Sequence, residues 1–376
     1  MSGDGERKAF KDYFDRAAAK ALAAQVHAVE PGFDRAKFVR QVTRGLEDKS
    51  FSERVQQFSD GLRALLPTSV PRALGRLVDS LPEPLPDCEA VTDGWLQWPI
   101  GQFIADHGLE HFEPSMEAMI ALTQRFSSEF AVRPFVEQRP KETFARLRTL
   151  TDHDSPHVRR WCSEGVRPRL PWGKVLRALV EDPRPICPIL DALKDDPERY
   201  VVRSVANNIN DIAKDHPEAA VARCKRWGLG RGERRRWLIN HALRSRIKAG
   251  DPAALEIVGF GAVEKLTAKL QIVPAAVHIG DSVEMTLTLR SGASKAQPVM
   301  IDYAVHYVRS RGTTSGKVFK WTRATLEPSE RTVLTKKHAM RPTTVRTLFP
   351  GTHRVVVQAN GHPVAESSFE LMPAKD

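Results

Sequence analysis

The chain predicts a multidomain α then β protein: an α-solenoid of HEAT-like helical repeats followed by an immunoglobulin-like β-sandwich. Three observations predict it. Residues from about 8 to 262 carry helical apolar spacing. Within them, Val158-Arg159 of HDSPHVRRWCSEG aligns with Val202-Arg203 of DDPERYVVRSVANN, a 44-residue spacing in the range of HEAT-type helical pairs. From about residue 264 the apolar period becomes two. The expected division is therefore an all-helical domain over 1–263 and a sandwich over 264–376.

Each copy of the helical repeat opens with acidic residues and a proline, as a helix N-terminus does; Ser155 stands at the cap and Pro156 at the first helical position. In the second copy, Val202, Val205, Ile209 and Ile212 form the stripe expected to face a core. Ser204, Asn207, Asn208, Asp211 and Asp215 form the opposite stripe. In the first copy, Val158, Trp161 and Cys162 point inward, and Arg160 and Glu164 share the polar side. PEAAVARCKRW (217–227) and GERRRWLINHALRSRIK (232–248) continue the helical pattern. Stacked helices of this kind offer one long concave face.

In the second half, Val283, Met285, Leu287 and Leu289 alternate, and VMIDYAVHYV and THRVVVQA behave alike. About seven short strands are expected, separated by Gly, Pro, Ser and Asn turns, as in an immunoglobulin-like sandwich. No cysteine follows Cys224, so an antibody-type disulfide is excluded from it.

A length of 376 residues suits roughly two or three domains. No apolar run has the length of a membrane span, and MSGDGERKAF carries charges where a signal peptide has an apolar region, so a cytoplasmic protein without membrane contact is expected. Cys88, Cys162, Cys187 and Cys224 form no CxxC and are read as buried thiols. The net charge of +11 favours an anionic partner, nucleic acid first. Residues 264 to 376 hold 16 Lys plus Arg against 9 Asp plus Glu, a balance of +7, leaving +4 for the helical part. The sandwich is then either a solubilising spacer or a second contact with a phosphate backbone.

Some apparent motifs carry little. His107 and His111 lack a third ligand, so no metal is expected. GLGRG at 228–232 follows no strand and reads as a turn between helices. No cofactor is expected.

RRWCSEGVRPRLPW (159–172) is more pointed. A helix ends in Glu164, Gly165 permits a stop, and Pro168 and Pro171 stiffen the run to Trp172. Two readings stand: an ordinary turn with Trp172 as a packing plug, or a preorganised acid and aromatic beside a polyanion. Asn207, Asn208 and Asp211 likewise suit either a functional surface or a hydrogen-bond ladder between repeats. Spacing alone stops at a basic HEAT-like scaffold that binds DNA or protein.

RRWCSEGVRPRLPW and SVANNINDIAKDHP, with WPIGQFIADHGLEHFEPSMEAM and RFSSEFAVRPFV upstream, resemble the AlkC branch of the AlkC/AlkD HEAT-like-repeat DNA glycosylases over about residues 8 to 262. Part of that branch also carries a C-terminal Ig-like domain. The resemblance implies a glycosylase acting on double-stranded DNA and hydrolysing the N-glycosidic bond of cationic bases, notably 3-methyladenine and 3-methylcytosine, without drawing the base into a deep pocket; no Lys is placed by motif as a Schiff-base nucleophile, so a monofunctional enzyme is expected, and a monomer with it. It assigns Glu164 and Asp211 as the acids and Trp172 as the aromatic. Glu129 is a further acid near the lesion or a structural ion pair. Arg160, Arg167, Arg203 and Lys214 are the candidate phosphate contacts, each equally readable as a solvated surface charge. Trp161-Cys162 departs from the small or aliphatic residues of relatives. A scaffold that has lost the chemistry is the competing reading, against which the joint presence of Glu164, Trp172 and Asp211 argues.

Overall fold

The computed structural model describes residues 9–88, 94–228, 232–310, 312–343 and 346–375. It divides into two compact units, Met1–Asp215 and His216–Asp376. Leu229 to Arg231, the middle of the glycine-rich turn, lie outside the described residues.

The first unit is helical. Its early helices, Arg16–Val29, Arg35–Val42 and Phe51–Leu65, bury Leu22, Val26, Phe38, Phe58 and Leu62. Asp15 and Asp34 cap the first two by accepting from Ala18 N and Lys37 N at 2.9 Å. Further along, Pro156–Glu164 packs against Arg199–Asp215, so the two copies of the 44-residue spacing are neighbours in space. Pro156 occupies the first turn as expected, whereas the Ser155 side chain makes no cap bond.

Val202, Val205, Ile209 and Ile212 are all buried. The stripe read as the opposite, polar face is also largely buried: Ser204 and Asn208 meet the helix Pro156–Glu164, and Asp211 meets Arg167 just beyond it. Asn208 donates to the Ser163 carbonyl at 2.9 Å, and the Ser163 and Ser204 hydroxyls are 2.6 Å apart. The hydroxyls and the Asn208 amide nitrogen are satisfied across the seam, whereas the buried Asn208 Oδ1 has no hydrogen-bond partner among the described residues.

Gly165 has φ −63°, ordinary helical geometry, so its hydrogen side chain is needed for space. A Cβ there would sit 2.6 Å from Val132 Cγ1. The left-handed residue of the segment is Trp172, at φ +61°.

The second unit joins four helices, Pro217–Trp227, Gly232–Ala242, Arg244–Lys248 and Pro252–Ile257, to eight strands. The strands are β1 (Leu266–Val273), β2 (Ala276–His278), β3 (Ser282–Ser291), β4 (Gln297–Val308), β5 (Thr314–Leu326), β6 (Arg331–Ala339), β7 (Gly351–Ala359) and β8 (His362–Met372). One sheet runs β1-β3-β6 and the other β2-β8-β7-β4-β5. Val283, Met285, Leu287 and Leu289 all enter the core, confirming their alternation. Among the described residues there are eight strands against the expected about seven, Ala276–His278 forming a short parallel addition to β8.

The change from helix to strand falls between Ile257 and Leu266, whereas the compact units divide at Asp215. The last helices are bound into the second unit by close packing: a Cβ on Gly361 would lie 2.1 Å from the Gly250 carbonyl oxygen, and the Arg323 guanidinium lies over the Phe260 ring. This division sharpens the charge asymmetry. Residues 216–376 carry 26 Lys plus Arg against 13 Asp plus Glu, or +13, while residues 1–215 carry 31 against 33, or −2.

Candidate active site

Two helices and the segment leaving the first of them build an ionic cluster in the first unit. Pro156–Glu164 ends in Glu164, with Arg160 one turn before it on the same side. The chain then turns back, so that Arg167 reaches both helices. Its Nη1 donates to Glu164 Oε1 and its Nε to Asp211 Oδ2, each at 2.8 Å. Lys214 Nζ donates to Asp211 Oδ1 at 2.9 Å. Arg160 bridges two acids, with Nη1 2.7 Å from Glu129 Oε2 and Nη2 3.4 Å from Glu164 Oε1. Ser127 accepts from Arg160 Nη1 at 2.8 Å and donates to Glu129 Oε2 at 2.9 Å.

Burial by itself opposes ionisation of Glu164, which is 5% exposed. The adjacent Arg160 and Arg167 guanidiniums and the Ser204 hydroxyl outweigh it and hold the carboxyl below its usual range. Burial likewise works against the charge on Arg160, but Glu129 and Glu164 drive its pKa up. Glu164 and Arg160 therefore remain ionised while largely withdrawn from water.

Glu164 and Glu129 open onto a cavity of about 290 Å³. Trp172, Tyr200, Trp98 and Phe130 supply much of its aromatic wall. Trp98 and Phe130 stack at 4.8 Å, and the Arg160 guanidinium lies 5.1 Å from the centre of the Tyr200 ring. Burial pushes the Tyr200 hydroxyl up to about 12, so it stays neutral. Trp172 is 77% exposed, and its ring meets Phe10 at 5.0 Å. A tryptophan held at positive φ and projected into solvent is strained backbone, which folded proteins concentrate at functional places.

Of the acids singled out from sequence, Glu164 and Glu129 reach the cavity together with Trp172. Asp211 does not line it. It is 1% exposed, and its two oxygens are taken by Arg167 and Lys214, so it stands one guanidinium behind Glu164.

The cationic assignments divide. Arg160 and Arg167, read from sequence as phosphate contacts, are buried in the carboxylate cluster, where with Lys214 they pair the buried Glu164 and Asp211. Arg203 is exposed on its helix. Lys214 is half exposed while bonded to Asp211.

Sequence reasoning missed the aromatic wall that Trp95, Trp98, Phe126, Phe130 and Tyr200 add to Trp172. It also missed Arg133, which binds backbone carbonyls of the segment carrying Trp172. Nothing in local spacing singles these residues out, although Phe126 and Arg133 both lie within the block RFSSEFAVRPFV.

Comparison with known proteins adds three findings. Residues 266–373 match the family model described as "Uncharacterised protein YhaZ, C-terminal Ig-like domain". The chain is 33% identical over 365 residues to Uncharacterized protein YhaZ of Bacillus subtilis (strain 168), covering 96% of this chain and 99% of that one. It is also similar to the solved structure of Pseudomonas fluorescens alkylpurine DNA glycosylase AlkC bound to DNA containing an abasic site analog. There the identity is 34%, the TM-score is 0.80, and 97% of this chain and 99% of that chain are covered.

Proposed function

This chain belongs to the AlkC branch of the AlkC/AlkD HEAT-like-repeat DNA glycosylases, and from that premise we propose that it is a monofunctional repair glycosylase excising cationic 3-methyladenine and 3-methylcytosine from double-stranded DNA. The observation that carries this reading is Glu164: an ionised, largely buried carboxylate facing a cavity walled by Trp172, Tyr200 and Trp98. A planar cation suits such a place, since rings attract it by their π faces and a carboxylate attracts it by charge.

The chemistry asks little of a general acid. A base that already bears positive charge leaves with the electrons of the C1′–N bond and departs neutral. The sugar is left as an oxocarbenium-like cation, which Glu164 stabilises across the cavity. Water adds to C1′ and passes its proton to the surrounding solvent, giving the abasic site. Glu129 is the second carboxylate at the cavity, and Trp172 presents its ring to the deoxyribose or the lesion. Asp211 bears on the site through Arg167, and Lys214, half exposed and bonded to Asp211, is the cation proposed to meet a DNA phosphate. A cavity of about 290 Å³, open at Trp172, accommodates a base without a deep extrusion pocket.

Charge separates the roles of the two units. The unit holding the acids is nearly neutral at −2, as suits a cationic lesion, while the +13 unit supplies attraction for the phosphate backbone. Arg203 and Lys214 remain the candidate phosphate contacts in the first unit. The protein is proposed to act as a monomer at DNA in the cytoplasm; among the described residues no helix is long and apolar enough to cross a membrane.

The test is release of 3-methyladenine and 3-methylcytosine from methylated duplex DNA by wild type, Glu164→Gln and Asp211→Asn, with folding and DNA binding checked for each. Release by wild type that collapses in folded, binding-competent variants is the expected result. Absence of release by wild type replaces the reading with a DNA- or protein-binding scaffold.

A further inference from the structure

Trp172 poses a mechanical problem. It is largely exposed, its backbone is strained, and it sits on a segment without regular structure, yet the proposed chemistry needs its ring in one place. Two prolines restrict φ at positions 168 and 171 but do not anchor the segment to the rest of the unit. The anchor is Arg133, at the start of the helix Arg133–Gln138.

Arg133 is 3% exposed, and its guanidinium binds carbonyls of this segment. Nη1 donates to the Gly165 and Arg167 carbonyls, both at 3.1 Å, upstream of Trp172. Nε donates to the Lys174 carbonyl at 2.8 Å, downstream of it, and Nη2 donates to the same oxygen. One rigid fork thus ties both ends of the segment, and Trp172 lies inside the span. The preceding residue, Val132, packs where a side chain on Gly165 would otherwise stand, fixing the helix end against the same helix start.

A buried arginine ordinarily faces a carboxylate, and here carbonyl dipoles take that place. Burial lowers its pKa to about 10, with Glu137 and Glu129 opposing the shift. Hydrophobic packing would hold the segment without that desolvation penalty. What the guanidinium adds is geometry: several directed donors in one plane, which a lysine cannot reproduce.

We propose that Arg133 is the positioning residue of this site, acting through Trp172 by stapling Gly165 and Arg167 on one side and Lys174 on the other. This rests on the glycosylase reading for its catalytic consequence but not for its structural one, and the experiment separates the two. Protein labelled with 5-fluorotryptophan carries seven probes, and Trp172→Phe identifies the resonance of Trp172. In Arg133→Gln and Arg133→Lys that resonance shifts and broadens, while the other six stay in place. An unmoved Trp172 resonance overturns the proposal whatever the enzymatic result, and movement of all seven shows general unfolding and overturns it as well.

The kinetic arm is a double-mutant cycle in single-turnover excision. Arg133→Gln slows excision by about 100-fold, the scale of a misplaced catalytic group, with binding of undamaged duplex unchanged. In a Trp172→Ala background the same change has little further effect, because the ring it positions is gone. Arg133→Lys recovers only part of the rate. Additive losses in the cycle overturn the proposal. If wild type excises nothing, the glycosylase reading fails, and the resonance of Trp172 still decides whether Arg133 holds it.

Discussion

The Nε of Arg167 donates to Oδ2 of Asp211 at 2.8 Å across 44 residues of chain, joining the two copies of the sequence repeat by a buried charge pair. Since Arg167 also binds Glu164, removing it leaves two carboxylates without their common cation. Losing one partner of a buried pair typically costs about 3–5 kcal/mol. Arg167→Met is therefore expected to lower unfolding free energy by about that amount in urea titration, and by clearly less in an Asp211→Asn background. A loss near the ~1 kcal/mol of an exposed pair would show that the cluster is solvated.

Acid sensitivity follows from the same charges. Burial opposes ionisation of Glu164, but Arg160 and Arg167 hold its folded-state pKa below 4.5. A depressed carboxylate pKa contributes stability that is present above the unfolded value and lost as pH falls through the folded one. Single-turnover excision is expected to keep its rate down to pH 4.5 and to decline only below it. In Arg160→Gln the acid limb moves upward. An unchanged limb would separate the acid limb from Glu164.

How much of this was legible in the sequence depends on the range of the interactions. Val283, Met285, Leu287 and Leu289 announced their core because alternation along one strand is local. Glu164 and Trp172 could be paired because only seven residues, two of them prolines, separate them. Burial of Arg160 and Arg167 was not readable: a guanidinium on a polar stripe looks solvated until the acids of another helix or loop arrive. Arg133 was hidden for the same reason, since its partners are carbonyls 32 to 41 residues away, and backbone acceptors have no sequence signature. The division at Asp215 escaped notice because helices look alike whichever neighbour they pack against.

Strain at Trp172 has a measurable counterpart. At φ +61°, glycine rests without penalty and alanine does not. Trp172→Gly and Trp172→Ala both remove the ring and its packing on Phe10, so their difference isolates the backbone. Trp172→Gly is expected to be more stable than Trp172→Ala by about 1 kcal/mol in thermal unfolding, with both losing excision. Equal stability would mean that the left-handed conformation is not held once the ring is absent.

In the second unit, His338 stands between two tyrosines: the Tyr303 hydroxyl is 3.0 Å from Nδ1 and the Tyr307 hydroxyl 2.9 Å from Nε2. Burial, with Arg346 nearby, lowers its pKa to about 4 from an ordinary 6.5. The unfolded chain therefore binds the proton more tightly, and stability that is full above pH 6.5 is lost as pH falls toward 4, by roughly 3 kcal/mol. Unfolding titrations across that interval should show this slope in wild type and a shallower one in His338→Asn. Parallel slopes would assign the dependence to other groups.

The charge of the second unit is open to direct test. Lys317, Lys320 and Arg323 are exposed on β5, which lies at one edge of its sheet. If they meet phosphates, neutralising them leaves fewer counterions to release when duplex DNA binds. The slope of log K against log salt should then flatten by about 0.9 for each phosphate that no longer meets a cation. Lys317→Gln, Lys320→Gln and Arg323→Gln are expected to lower the slope stepwise while leaving the single-turnover rate at saturating enzyme unchanged, because the carboxylates proposed to act on the lesion belong to the other unit. A slope indifferent to all three would make this strand a bystander. A fall in rate at saturation would mean that these cations shape the DNA around the lesion as well as hold it.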